Sequence, residues 1–216
     1  MTPPRVASEG MRLLLLDAAL SRCLAALMEG EQVLAERIHE GVHGQAACLP
    51  PLVEAVLDGP LDAVVVCVGP GSFTGLRTAI ALADGIATAR GIPVVPVTTG
   101  EALVAFAASG FPAWAATENR RGALFLERFG PDGRASAPPC VLAEEALPRP
   151  ESLTWIMGDA APRAVARLLA RGWPAALGEA RRVEARAMAR VAMRRLAGEM
   201  SALALEPLYI DPPATT

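Results

Sequence analysis

The stretch from residue 63 to residue 90 constrains the fold of this chain more than any other. Ala63 to Val68 is a short apolar run rich in β-branched residues, which is typical of a central parallel strand. A glycine-rich turn follows directly, and the segment from Phe73 to Arg90 predicts a long helix. A strand, a tight turn and a helix in this order indicate an α/β fold.

The segments around this stretch predict three strands, a helix, a strand, a helix and a strand. The opening meander is predicted at Arg12–Asp17, Cys23–Met28 and Val33–Ile38. A helical spacing of apolar residues from Leu49 to Val56 predicts the first helix, which Gly59-Pro60 ends. The last strand of this half is predicted at Pro93–Val97.

The second half repeats the pattern more weakly. A helix is predicted near Glu101–Ala108, and a second one runs from Gly158-Asp159 through Leu169. Candidate strands are Ala113–Thr117, Ala123–Arg128, Cys140–Leu142 and Leu153–Met157. Residues 130–139, rich in Pro and Gly, predict an exposed turn, and a last helix is predicted from about Val183 to Leu196.

Two halves of one topology, each beginning with a meander, predict the two-lobed actin-like ATPase fold, with a mixed sheet and helices in each lobe. We expect a flexible extension over residues 1–10, ahead of a natural start at Met11. The first lobe is then predicted over 11–98 and the second over 99–216.

Composition limits the function classes. The chain has 216 residues, of which 52% are hydrophobic and 20% charged, so it is long and apolar enough to bury a core. Its formal charge of -3 argues against a generic nucleic-acid binder. Four cysteines without Cys-x-x-Cys spacing predict reduced thiols in the cytoplasm. Asp17 interrupts the apolar stretch from Arg12 to Met28, which therefore predicts strands rather than a signal peptide, and we expect no membrane association.

Glycines and hydroxyl residues at the turn before the long helix form a candidate binding site. Glycines permit close backbone approach, Ser72 is placed to cap the helix, and free amides at a helix start attract anions. The candidate cofactor-binding residues are Gly69, Gly71, Ser72, Thr74 and Gly75. A capped turn without a ligand explains the same residues, and the spacing matches neither a Walker loop nor a dinucleotide fingerprint.

The string Gly-Pro-Gly-Ser-Phe-Thr-Gly-Leu-Arg at residues 69–77 resembles the signature of the TsaB family. The resemblance extends to residues 11–17, His43-x-Gln45, Gly91-Ile92-Pro93-Val94, Arg120-x-Gly122 and Glu206-Pro207-x-Tyr209. The chain departs from the family pattern in two places. Asp17 is followed by Ala18 where the family usually has Asp-Thr, and Tyr209-Ile210-Asp211 replaces a Tyr-x-Arg ending.

The resemblance implies a function in tRNA modification. TsaB proteins carry an old glycoprotease label and have the actin-like fold. They act as non-catalytic partners of TsaD, which transfers threonylcarbamoyl to tRNA adenosine. A TsaE-like ATPase, tRNA held through the complex, and a homodimer when TsaD is missing are the further implied partners. The resemblance implies no cofactor for the chain alone, and ATP or ADP only where it meets its partners.

The resemblance also locates the expected partner surface on first-lobe helices. Small residues let helix backbones approach closely, and apolar ones add buried area. The predicted interface residues are Leu49, Val53, Thr78, Ala81, Leu82, Gly85 and Ile86. Packing of the small residues on the lobe's own sheet is the alternative explanation.

A row of arginines in the last helix is a candidate contact for tRNA or another anion. Arg182, Arg186, Arg190 and Arg194 recur at four-residue spacing, where like charges repel by roughly 0.2–0.5 kcal/mol per pair. An anionic partner would offset that repulsion. A solvated face relieved by Glu184 and Glu199 is the simpler explanation of the row.

Catalytic alternatives lack their essential groups in the sequence. An actin-like kinase needs a hydroxyl in its first loop, but Ala18 and Ala19 follow Asp17. The metal-binding His-x-x-x-His pair of TsaD corresponds to Thr99 and Leu103. His39 and His43 have zinc-ligand spacing, but Gly41 interrupts any helix between them, so we expect no metal. A peptidase would need a base beside Ser72 or Cys67, and neither has one in the sequence pattern.

Overall fold

The computed structural model describes residues 10–41, 44–119 and 122–210, and these residues form two compact units. The first unit contains the described residues up to Thr98 together with Glu184–Pro207. The second contains Thr99–Val183 and residues 208–210. Each unit is built on a five-stranded sheet.

The first sheet has the strand order β3-β2-β1-β4-β5. Its three opening strands pair antiparallel, whereas β4 and β5 lie parallel to β1. The elements are β1 (Arg12–Asp17), β2 (Arg22–Glu29), β3 (Gln32–Glu40), α1 (Gln45–Glu54), β4 (Ala63–Cys67), α2 (Phe73–Arg90) and β5 (Val94–Val97).

The second sheet repeats this order as β8-β7-β6-β9-β10. Its first three strands again form an antiparallel meander, and β9 and β10 run parallel to β6. The elements are α3 (Thr99–Val104), β6 (Ala113–Glu118), β7 (Leu124–Phe129), β8 (Ala135–Leu142), a 3-10 turn (Glu144–Ala146), β9 (Thr154–Met157), α4 (Ala161–Ala170), β10 (Ala175–Leu177) and α5 (Ala185–Leu196). The predicted fold class, two lobes that each contain a mixed sheet and helices, is confirmed.

Helices cover both faces of the first sheet. Leu14 and Leu16 of β1 lie in a core with residues of α1 and α2, among them Leu49 and Ala83. Because side chains alternate along a strand, Leu13 and Leu15 face the other side, where α5 packs across β1, β2, β4 and β5. The near-continuous apolar run of β4 reflects this burial on both faces.

The last helix is a correction to the predicted domain division. Residues 99–216 were assigned to the second lobe, but α5 and its flanking residues 184–207 pack with the first unit. The apolar stripe of α5, which includes Met188, Val191 and Ala192, is buried against the first sheet. Chain order alone does not reveal such a return.

Two strands of the second unit differ from the prediction. Residues 130–139 were predicted to be an exposed turn, but β8 already begins at Ala135. Pro138 and Pro139 fit there because β8 is an edge strand whose register shifts opposite Leu126–Arg128. β10 was not predicted, because Ala175-Ala176-Leu177 is short and has little β-branched character, and pairing with β9 alone makes it a strand.

Candidate functional site

The turn between β4 and α2 packs directly on the turn that follows β1. The backbone amide of Ser72 donates to the carbonyl of Ala19 at 2.6 Å. A Cβ added to Gly71 would overlap that same carbonyl oxygen, so only glycine allows the two backbones to come this close. The Ser72 amide, one of the predicted anion-binding groups, is therefore already paired within the chain.

Ser72 is the N-cap residue of α2, as its sequence position predicts. Its hydroxyl oxygen accepts the backbone amide of Gly75 at 3.4 Å, and its carbonyl accepts the amide of Leu76 at 2.9 Å. Gly75 is buried and Thr74 is exposed. The guanidinium of Arg77 stacks on the exposed ring of Phe73 at 3.9 Å from its centroid, a contact that the sequence pattern does not reveal.

Asp17 holds the turn that follows β1 through a hydrogen bond to Ala19. Its carboxylate is 1% exposed at the end of β1 and accepts the amide of Ala19 at 2.9 Å. Burial raises the pKa of Asp17, while the Ala19 amide, the Cys67 side chain and the charge of Arg22 act in the opposite direction. Ala18 and Ala19, which directly follow Asp17, are buried and carry no hydroxyl.

The long helix α2 has one face in the core and one face of small residues outside. Leu76, Ala79, Ala83 and Ala87 are buried against the sheet. The opposite side, which we call the α2 outer face, consists of Thr74, Thr78, Ala81, Gly85 and Thr88. A Cβ added at Gly85 would meet nothing within 4 Å. Packing on the sheet therefore explains the small residues of the buried face, and only the α2 outer face is open to the partner explanation.

Four of the predicted interface residues are buried or partly buried in the first unit. Leu49 and Val53 are 0% and 3% exposed in the core of the first unit, so assigning them to an interface was wrong. Their helical spacing identifies an apolar face but not what covers it. Leu82 and Ile86 are half-buried and pack against the same core. Thr78, Ala81 and Gly85 remain on the α2 outer face.

The predicted arginine row is only partly helical. Arg182 precedes the helix, which begins at Ala185 with Glu184 as its N-cap residue, so the four-residue spacing from Arg182 to Arg186 has no helical meaning. Arg186 and Arg190 are exposed on α5. Arg194 pairs with Glu199 at 3.2 Å, which is the internal relief that the alternative explanation requires.

The residues considered for catalysis lie apart or are buried. His39 is exposed on β3, whereas His43 lies outside the described residues, as does Arg120. Thr99 and Leu103 are buried on α3. Burial, followed by the charge of Asp17 and of Cys48, raises the pKa of the Cys23 thiol to about 12, which makes it a poor nucleophile.

Neither a metal cluster nor a membrane span is found in the described part of the chain. No three His, Cys, Asp or Glu side chains among residues 10–41, 44–119 and 122–210 gather so as to hold a metal ion. Within the same ranges, no helix has both the length and the hydrophobicity for crossing a membrane. All four cysteines are free thiols.

Parts of this chain are similar in sequence to known proteins. A family model described as "TsaD: tRNA N6-adenosine threonylcarbamoyltransferase" matches residues 49–130. The tRNA threonylcarbamoyladenosine biosynthesis protein TsaB of Haemophilus influenzae is 29% identical over 110 residues, which cover 48% of this chain and 44% of that protein. Over these segments the chain is similar to TsaD and TsaB proteins.

A second relative is similar over a shorter segment. An uncharacterized protein of Mycobacterium tuberculosis is 43% identical over 77 residues, covering 33% of this chain and 36% of the relative. The aligned segments thus span less than half the length of these two relatives.

Solved structures show the same fold. YeaZ from Pseudomonas aeruginosa superposes with a TM-score of 0.70 at 24% identity over 91% of this chain and 100% of that one. A second Pseudomonas aeruginosa structure, of a protein with similarity to peptidase YEAZ, gives 0.72 at 22% identity over 93% of this chain and 100% of that one.

Proposed function

We propose that this chain is a non-catalytic subunit of the machinery that makes threonylcarbamoyladenosine in tRNA, and that it works by docking a TsaD-like transferase. The observation that carries the proposal is the sequence match to the TsaB biosynthesis protein of Haemophilus influenzae. The hydrogen bonds of Ser72 and Asp17 to backbone amides also support structural roles for these two residues.

The docking surface in this proposal is the α2 outer face. Its side chains are small, so a helix of the partner can approach α2 closely and bury backbone as well as side-chain atoms. In the absence of a transferase, the same face would pair with a second copy of the chain. A TsaE-like ATPase then engages the pair, and tRNA is bound by the whole complex.

Nucleotide binding in this proposal belongs to the complex and not to the chain alone. The Ser72 amide donates to the Ala19 carbonyl and the Gly75 amide donates to the Ser72 hydroxyl, so these two groups are already paired within the chain. A molecule of ATP or ADP near this turn would therefore be bound jointly by this chain and by residues of the partner.

The test is nucleoside analysis of tRNA from cells depleted of the protein and then supplied with variants. Wild type should restore threonylcarbamoyladenosine, and Ala81→Arg should not, because it places a long charged side chain on the α2 outer face. Ala166→Arg is the matched control, since Ala166 is an exposed alanine on α4 of the second unit. Leu82 is less suitable, because it packs against the core and its replacement would also destabilise the unit.

Two results would reject the proposal. Normal levels of the modified nucleoside in depleted cells would exclude a function in its synthesis. Full rescue by a folded Ala81→Arg variant would exclude the α2 outer face as the docking surface.

A direct tRNA contact through α5 is a separate part of the proposal. Replacing Arg186 and Arg190 by Gln should weaken tRNA binding by the complex and lower the slope of log K against log salt by about one to two. Arg167→Gln is the control, because Arg167 is an exposed arginine paired with Glu145 at 2.7 Å in the second unit. An unchanged slope would show that the α5 arginines are only a solvated face.

A further inference from the structure

Asp17 is a buried carboxylate in the first unit and does not lie on the α2 outer face. Burying an ionised carboxylate is costly unless hydrogen bonds and opposite charge compensate it. Asp17 has such partners on three elements: the Ala19 amide in its own turn, the Cys67 side chain on β4 and the charge of Arg22 on β2. The group is thus held in place from several directions.

The contact continues from Asp17 to the neighbouring turn. The amide of Ala19 donates to the Asp17 carboxylate at 2.9 Å, and the carbonyl of Ala19 accepts the Ser72 amide at 2.6 Å. Gly71 lies against the same carbonyl without room for a Cβ. The position of Ala19 is therefore set by the carboxylate on one side and itself sets Ser72 on the other.

Ser72 in turn begins the helix that carries the α2 outer face. Its hydroxyl and carbonyl oxygens accept the amides of Gly75 and Leu76. Thr74, the first residue of the outer face, lies within this first turn. A shift of Ser72 must therefore move the start of the outer face.

We propose that Asp17 is a positioning residue for the α2 outer face, acting through the Ala19 backbone on Ser72. This inference rests on the proposed function, because the placement of the outer face matters only where a partner docks on it. In this role a carboxylate at the place of a catalytic first loop sets the geometry of a protein–protein surface.

Three variants test the successive links. Asp17→Ala removes the acceptor of the Ala19 amide, whereas Asp17→Asn retains a side-chain oxygen at the same place. Gly71→Ala forces the two turns apart without altering the carboxylate. Leu27→Ala is the control, because Leu27 is buried in the same unit and its truncation lowers stability without touching either turn.

Amide hydrogen exchange gives the readout that needs no partner. Asp17→Ala and Gly71→Ala should speed exchange at Ser72, Gly75 and Leu76 by about five- to tenfold relative to Val65 of β4, as expected for the loss of one buried hydrogen bond. Asp17→Asn should lie near wild type. Leu27→Ala should change exchange at these amides and at Val65 by the same factor.

Affinity for the TsaD-like transferase gives the second readout. Asp17→Ala and Gly71→Ala should bind about tenfold more weakly, and Ala81→Arg should lose binding while its exchange at Ser72 stays normal. Unchanged exchange at Ser72 in a folded Asp17→Ala variant overturns the proposal, as does wild-type affinity in a variant with faster exchange. Equal loss of affinity in Leu27→Ala also overturns it, since stability alone would then explain the effect.

Failure of the proposed function has a different signature. In that case the wild-type chain itself does not bind the transferase, and the exchange experiment alone decides whether Asp17 positions α2. If Asp17→Ala does not fold, Asp17→Asn carries the exchange readout. It retains an accepting oxygen, so faster exchange at Ser72 in this variant overturns the proposal.

Discussion

The turn after β4 in the first unit and the turn after β9 in the second occupy the same place in two sheets of equal strand order. Both bring a glycine against the carbonyl of an alanine on or just after the central strand: Gly71 meets Ala19, and Gly158 meets Ala116. In both, a nearby amide donates to that carbonyl, from Ser72 at 2.6 Å and from Ala160 at 3.2 Å.

The carboxylates of the two turns differ. In the first unit, Asp17 is buried at the end of the central strand and holds the Ala19 amide. In the second unit, Asp159 belongs to the strand-to-helix turn and accepts the amide of Glu118 at 2.9 Å. The duplicated topology thus requires the glycine-to-carbonyl contact, whereas the acidic residue is free to serve each unit differently.

The largest effects are expected where the two turns agree. Gly158→Ala should lower the free energy of unfolding by roughly 3 kcal/mol or more, because φ is +107° and the new Cβ would overlap the Ala116 carbonyl. Gly71→Ala lacks the positive φ and should cost about 1–3 kcal/mol. Urea unfolding measures both.

Gly85→Ala is the control for the glycine variants. A Cβ there has open space in the middle of α2, so the variant should gain about 0.5–1 kcal/mol from helix propensity. A Gly158→Ala variant as stable as wild type would contradict the contact that we consider common to both units.

The next effect distinguishes the two carboxylates by their pH dependence. Burial raises the folded-state pKa of Asp17 above its usual 3.8, so its stabilising contribution is complete below that pH and is lost as the pH rises through the folded pKa. Asp17→Asn should therefore become more stable relative to wild type as the pH rises from about 3.5 to about 7.

Asp159→Asn should show the same trend with a smaller amplitude. Burial is also the first cause of its raised pKa, followed by the lowering effect of the Glu118 amide and the raising effect of the Glu118 charge, but Asp159 is partly exposed. Chemical unfolding at several pH values gives both curves. A larger gain in stability with rising pH for Asp159→Asn than for Asp17→Asn would contradict the expected order of the two carboxylates.

The smallest expected effect concerns the helix caps. Ser72→Ala should cost about 1 kcal/mol and Ser72→Gly only a few tenths, because the side-chain bond to Gly75 is lost but glycine is itself tolerated as an N-cap residue. The equivalent residue of α4, Ala160, makes no side-chain cap bond, so the second unit has no such contribution. An unchanged melting temperature in Ser72→Ala would show that the 3.4 Å hydrogen bond contributes nothing measurable to stability.

Local signals in the sequence predicted α2 with its true bounds. Ser72 at one end and Gly91 at the other are residues that favour helix ends, and the apolar run before them defines β4. Glycines at 69 and 71 mark the turn for the same reason. The candidate site could be located this far from neighbouring residues alone.

Other features of the site depend on residues far apart in the chain. The alanine carbonyl that occupies the Ser72 amide lies more than fifty positions earlier, and no spacing in the sequence indicates it. Leu49 and Val53 have an apolar helical pattern that suits a core and an interface equally, and only the packing of α1 against β2 and α2 decides between them.

Local patterns in the sequence located most strands and helices to within a few residues, because caps, turn glycines and apolar periodicity act over short stretches of chain. The tertiary structure alone decided that α5 returns to the first sheet, that one face of α2 stays outside and that Asp17 is buried. These outcomes follow from the pairing of β1 with β4 and from the sheet that this pairing creates. Burial is a property of the assembled layers, and no local pattern of residues contains it.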